Sequence, residues 1–228
     1  MLVVNDPDMV KSILVRDAHN FSDTNPFRKI FIRYLSSSFI MKKNKEWKDG
    51  RNLVSPVFTT RKIKEIFQQF QKASKPLFSN IEDLIEQGRQ DEIDVKDLMK
   101  NYQLDVIAKF VYSLDLNSAK DLDHPFVKNV RKLIDFQDKK INIFFSLWPA
   151  KLIKLFDIQF FDGSALEYLA NVTRVLIKQR NETQNRENYD FLGLLINTIR
   201  EKELNVPEEE IIGNCTVSAR SPVLHWIV

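Results

Sequence analysis

Lys45-Glu46-Trp47-Lys48-Asp49-Gly50-Arg51-Asn52-Leu53-Val54-Ser55-Pro56-Val57-Phe58-Thr59 is the stretch on which the reading of this chain turns. Trp47 and Arg51 stand at i and i+4, so on a helix both side chains project from one face. An indole N–H and a guanidinium are pure donors, and the planar guanidinium fork suits a carboxylate held through two hydrogen bonds. Such a pair suits a carboxylate-bearing cofactor. It equally suits a surface packing or cation–π contact with no ligand at all. The helix that carries the pair should end before Pro56, because the residue ahead of a proline resists helical backbone angles.

Working outward, the pattern is almost entirely helical. Asn5-Asp6-Pro7 has the form of a cap with a first-turn proline, with Val10, Ile13 and Leu14 as the inner face. Residues 20–41 mix Ser, Asn, Pro and aromatics without a period, which predicts loop with short helical pieces. A stripe of Ile63, Ile66, Phe67, Phe70, Leu77, Phe78, Ile81, Leu84 and Ile85 has helical spacing, with Pro76 as a kink and Gly88 as a stop. Asp94 can cap the next helix, whose expected buried face is Val95, Leu98, Met99, Tyr102, Val106, Ile107 and Phe110. A polar connection from Asn117 to Pro125 leads to a helix through Phe126, Val130, Leu133 and Ile134. Residues 141–161 are apolar on most sides, flanked or punctuated by Lys139, Lys140, Lys151 and Lys154. They fit a core segment or a peripheral contact with a membrane surface or an access path. Helices are predicted from Ser164 to Arg180, from Asp190, and from Pro207 onward with Glu208, Glu209 and Glu210 at the amino end. Pro222 interrupts the tail, and no helical period continues after Thr216.

Composition narrows the function. Of 228 residues 43% are hydrophobic and 17 are Phe, enough for a substantial core. With 5 Gly and neither Gly-x-Gly nor Gly-x-x-x-x-Gly-Lys-Ser/Thr, phosphate cradles are unsupported. A net charge of +3 is too small to imply nucleic acid. Cys215, the single cysteine, excludes an internal disulfide, and His19, His124 and His225 match no metal-ligand spacing. No run reaches the ~18 apolar residues of a membrane span, and no signal-peptide pattern opens the chain.

From about residue 1 to 217 the sequence resembles the cytochrome P-450 haem-thiolate monooxygenases, in particular the animal microsomal branch that metabolises xenobiotics. The matching blocks come in the family's order. They are Asp6-Pro7-Asp8-Met9-Val10-Lys11-Ser12-Ile13-Leu14 with His19-Asn20-Phe21-Ser22-Asp23, then Glu46-Trp47-Lys48 through Arg51 and Leu53-Val54-Ser55-Pro56-Val57-Phe58-Thr59. Asp94-Val95-Lys96-Asp97-Leu98, Leu104-Asp105-Val106-Ile107-Ala108, Leu116-Asn117-Ser118, Asp190-Phe191-Leu192-Gly193-Leu194-Leu195-Ile196 and Glu208-Glu209-Glu210-Ile211-Ile212-Gly213-Asn214-Cys215 follow. The resemblance implies a mainly α chain, the amino-proximal and middle part of that fold, with little strand and an incomplete core. The partial domain would be 1–217 and a divergent tail 218–228.

The resemblance further implies a haem cofactor with Trp47 and Arg51 on a propionate, and oxygen insertion into a small lipophilic substrate. It implies electrons from an NADPH-cytochrome reductase and a place at the endoplasmic reticulum membrane. Residues 22–41 would correspond to a substrate-contacting region, and residues 134–161 to the substrate-access lobe. Lys42, Lys43, Lys45 and Lys48 resemble the basic face that receives the reductase; a solvated charge run is the plainer alternative.

The family's axial cysteine lies in a Phe-x-x-Gly-x-x-x-Cys-x-Gly loop that does not occur in this sequence, and Cys215 lacks that setting. Thr216-Val217-Ser218-Ala219-Arg220 departs from the family's oxygen-handling segment, Tyr112-Ser113 replaces a usual Phe-Gly, and Glu86-Gln87-Gly88-Arg89 matches Glu-x-x-Arg far too early. Nor does the sequence match the family's amino-terminal anchor segment, which the resemblance would lead one to expect. These departures predict a truncated monooxygenase, inactive as it stands, with no catalytic or metal-ligating residue to nominate. The alternative is a non-catalytic helical product with a lipid- or partner-binding apolar patch.

Overall fold

A computed structural model describes residues 3–21, 34–135, 162–183 and 190–220. Among them the chain is helical, with no strand. The elements are α1 (Pro7–Lys11), α2 (Tyr34–Ser37), α3 (Asn44–Val54), α4 (Thr60–Glu86), α5 (Val95–Tyr112), α6 (Pro125–Asp135), α7 (Gly163–Thr183), α8 (Phe191–Glu201) and α9 (Glu208–Arg220).

The expected punctuation is present. Asp6 caps α1 by accepting the Met9 N–H at 2.8 Å, and Asp94 caps α5 through the N–H groups of Lys96 and Asp97. Asp190 caps α8 through the Gly193 N–H at 2.7 Å. α3 ends before Pro56, and a single-turn helix, Ser55–Phe58, follows it. At the end of α4, Gly88 takes φ +68° while the Arg89 N–H reaches the Leu84 carbonyl and the Gly88 N–H reaches that of Ile85. That is a Schellman stop, so Glu86-Gln87-Gly88-Arg89 is a helix terminus and not a displaced motif.

α5 and α9 hold the interior. α9 packs against α2, α5, α6, α7 and α8, and α4 lies outside α5. Phe110 of α5 meets Phe70 of α4, Phe58 of the turn after α3 and Phe191 of α8, with ring centroids 6.3, 6.3 and 5.8 Å away. One aromatic cluster thus joins three successive elements to the distant α8.

Several expectations are corrected. Leu14 is 69% exposed on a π-helical turn (Ser12–Arg16). Val95 and Met99 are exposed as well; Ile107 and Phe110 are buried as expected, and Asn101, Leu104, Asp105, Ala108, Val111 and Tyr112 join them on the buried face of α5. Neighbours surround α5 toward its carboxyl end, where apolar residues cover most sides and no single stripe marks the inside. On α4, Phe67, Phe78 and Ile85 are more than half exposed, and the helix runs on across Pro76 to Glu86. The core is incomplete along that edge. α9 continues through Val217 and the fully buried Ala219 to Arg220. The expected apolar run at 141–161 lies outside the described residues, as do 22–33 and 221–228.

Candidate functional site

α3 presents the pair as its spacing predicts. The Arg51 guanidinium carbon sits 5.3 Å from the centre of the Trp47 ring, with Trp47 half-buried and Arg51 exposed. Among the described residues no acceptor engages the indole N–H or the guanidinium. Two adjacent donors facing outward fit a carboxylate arm, and the stacked cation adds its charge beside the indole edge.

The opposite face of α3 explains why the pair is so placed. Gly50, Leu53 and Val54 are buried, and a β-carbon on Gly50 would lie 2.5 Å from the Phe39 β-carbon. Only glycine permits that approach. The segment around Phe39 is in turn held by α9. A β-carbon on Gly213 would collide with the Tyr34 carbonyl and lie 2.8 Å from the Ser38 nitrogen. The Asn214 side-chain carbonyl accepts the Phe39 N–H at 2.9 Å, and Lys42 forms an ion pair with the nearly buried Glu210. Residues 34–42 are therefore a strap between α3 and α9. Sequence spacing marked Gly50, Gly213 and Asn214 only as parts of blocks, because their partners lie far away along the chain.

Lys42 is consequently withdrawn from the basic face expected for residues 42–48, whereas Lys45 and Lys48 are exposed. Arg174 of α7 ties the other end of the strap. It donates to the Tyr34 hydroxyl at 2.6 Å, to Glu208 at 3.1 Å and to Glu167 at 3.3 Å, and lies over the Tyr34 ring. The hydrogen bond to Tyr34 helps hold its guanidinium pKa above the ordinary value.

Cys215 faces the interior of α9. Burial pushes its thiol pKa well up, and the carboxylate of Asp190 adds to the effect. A thiol held protonated in a core is not placed to ligate a metal. His124 spends its Nδ1 on the Phe126 N–H at 3.2 Å, and His19 is exposed. Among the described residues no group of three or more His, Cys, Asp or Glu could hold a metal ion. A groove of about 340 Å³ with mixed polar and apolar walls lies between the end of α4 and the start of α5, lined by Asn80, Asp83, Leu84, Ile93, Asp97 and Lys120 among others, with no residue of α3. Among the described residues no helix is long and apolar enough to cross a membrane.

Comparison with known proteins matches this arrangement to one family. The family model described as Cytochrome P450 matches residues 1–217. The chain is 27% identical over 230 residues to Cytochrome P450 3A6 of Oryctolagus cuniculus, an alignment covering 98% of this chain and 44% of the relative. It is 29% identical over 209 residues to Cytochrome P450 3A12 of Canis lupus familiaris, covering 90% and 41%. It is also 28% identical over 239 residues to Probable cytochrome P450 9f2 of Drosophila melanogaster, covering 95% and 45%. The chain spans less than half the length of these curated relatives. With the tryptophan–arginine helix, its proline-marked end and the helices around it falling within a match over nearly the whole sequence, the chain belongs to the cytochrome P450 family.

Proposed function

We propose that this chain forms the propionate-binding part of a haem-dependent monooxygenase acting on a small lipophilic molecule. The observation that carries the reading is the Trp47–Arg51 geometry: two donors stacked at 5.3 Å on one face of α3, with no acceptor on either among the described residues. The indole N–H and the guanidinium would share one propionate, and the Gly50–Phe39 contact would set how deeply the helix, and so the pair, is seated. Bound haem supplies oxygen activation, which in this family depends on a thiolate to the iron. Cys215 is buried inside α9, so the part of the cofactor site assigned to this chain is the acidic edge held by Trp47 and Arg51. Lys45 and Lys48 are the cations of the expected reductase face that stand exposed, and membership of the family supports placement at the endoplasmic reticulum membrane.

Titration of the chain with ferric haem, followed by the Soret band, tests the pair. Arg51→Ala and Trp47→Phe are each expected to weaken binding by about tenfold or more, the loss of a charge-assisted or buried donor. Haem dimethyl ester, which has no free carboxylates, is expected to bind wild type and R51A alike. Equal haem affinity in wild type and R51A would sink the assignment. The reduced, carbon-monoxide-bound sample is expected to lack a thiolate-type band.

The non-catalytic reading, a helical protein that binds through apolar surface, is favoured by one observation: the exposed Phe67, Phe78 and Ile85 of α4.

A further inference from the structure

Each member of the Trp47–Arg51 pair is tied to the strap through its own backbone surroundings. The Trp47 N–H donates to the Lys43 carbonyl at 3.1 Å, one residue past Lys42. Arg51 directly follows Gly50, whose Cα face rests on Phe39. The junction between strap and helix is bent: Asn44, the first residue of α3, takes φ 48°, in the left-handed region that few side chains adopt. Across so short a junction, a shift of the strap reaches the pair within one helical turn.

Two residues of α9 decide where the strap lies. Glu210 and Asn214 stand at i and i+4, so both meet it from one side of the helix. Glu210, 8% exposed, pairs with Lys42, and its Oε1 lies 3.5 Å from where a β-carbon on Gly50 would be. Asn214, 1% exposed, accepts the Phe39 N–H at 2.9 Å. Its side-chain nitrogen is buried with no partner among the described residues. An orphaned donor opposes folding, so packing alone would favour an apolar side chain at this position. What the amide provides is the acceptor for Phe39. The strap is stiffened from within, since the Ser38 hydroxyl donates to the Leu35 carbonyl at 2.8 Å and the Lys42 N–H to that of Phe39 at 3.1 Å. It therefore moves as a unit.

We propose that Glu210 and Asn214 are positioning residues for the Trp47–Arg51 pair, acting through the strap to set how well the two donors converge on a carboxylate. The inference rests on the propionate reading of that pair. It adds that the affinity of the pair is decided from α9, more than 150 residues along the chain. Coupling of this kind is reciprocal: a carboxylate bound by the pair holds the strap against α9 by the same factor.

The full chain is titrated with ferric haem and, separately, with haem dimethyl ester, which has no free carboxylates. A positioning role appears in the ratio of the two affinities, whereas a general loosening of the fold weakens both alike. Asn214→Leu is expected to lower the preference for haem over the ester by about fivefold, and to have no further effect in R51A. Lys42→Glu and Glu210→Lys are each expected to lower it similarly, and K42E/E210K to restore it to within about twofold of wild type. Haem, but not the ester, should slow hydrogen exchange of the Phe39 amide by about fivefold. An unchanged ratio in N214L, an equal loss for both ligands, or additivity of N214L with R51A would overturn the inference and leave the assignment of the pair standing. R51A with the haem affinity of wild type would remove both. Should N214L lose its helical circular dichroism, the charge swap decides, and a double variant no better than either single one overturns the proposal.

Discussion

At the scale of single residues, two buried acids illustrate opposite solutions to the same cost. Asp105 receives the Ser118 N–H at 2.9 Å and the Ser118 hydroxyl, but among the described residues no cation pairs with it, and burial raises its pKa above the ordinary value against those two bonds. A carboxyl whose folded pKa is raised contributes stability below its unfolded pKa and loses that contribution as pH rises through the folded value. Stability from Asp105 should therefore decline from about pH 4 upward through the acidic range. Asp105→Asn keeps an acceptor for Ser118, so urea unfolding at several pH values is expected to show that this decline has gone. Asp190 is answered by charge instead. Arg180 donates to both its oxygens at 2.7 and 2.6 Å in a buried fork, while Asp190 also caps α8. Arg180→Met leaves the carboxylate buried and unpaired and is expected to cost about 3–5 kcal/mol in urea titrations. Asp190 is recognisable in the sequence as a helix start, because capping is local. Its arginine, in the preceding helix, is not.

At the scale of elements, the ends of helices are more predictable than their faces. α5 ends at Ser113 in the left-handed region, φ 59°, with the Ser113 N–H on Lys109 and the Leu114 N–H on Ala108. Glycine suits that backbone, and the family resemblance places a glycine there. Ser113→Gly is expected to stabilise the chain by about 0.5–1 kcal/mol in thermal or denaturant unfolding, since the side chain is exposed and nothing else is lost. Gly213 is the opposite case. It has ordinary helical backbone, and its necessity comes from the Tyr34 carbonyl and Ser38 nitrogen pressed against it. Gly213→Ala should cost roughly 1–3 kcal/mol through overpacking, despite alanine's better helix propensity, and denaturant midpoints will show the sign. No local pattern distinguishes these two sites. One is governed by a dihedral angle, the other by what lies across the interface.

For the whole molecule, Phe110 is the point where distant elements converge, touching Phe58, Phe70 and Phe191. Phe110→Ala is expected to cost about 3–5 kcal/mol and to shift far-ultraviolet and tryptophan-fluorescence transitions together, because one cluster serves α4, α5, α8 and the end of α3. Helix positions, caps, stops and the i,i+4 placement of Trp47 and Arg51 were accessible from the amino-acid order. Each depends on interactions within one or two turns, where the residues carry their own instructions. The inner face of α5, the exposure of Phe67 and Phe78, the capture of Lys42 by Glu210 and the joining of Arg180 to Asp190 were not accessible in this way. They are settled by which surfaces meet when segments from separate parts of the chain pack. Burial and charge pairing are properties of both partners, and a single segment specifies only one.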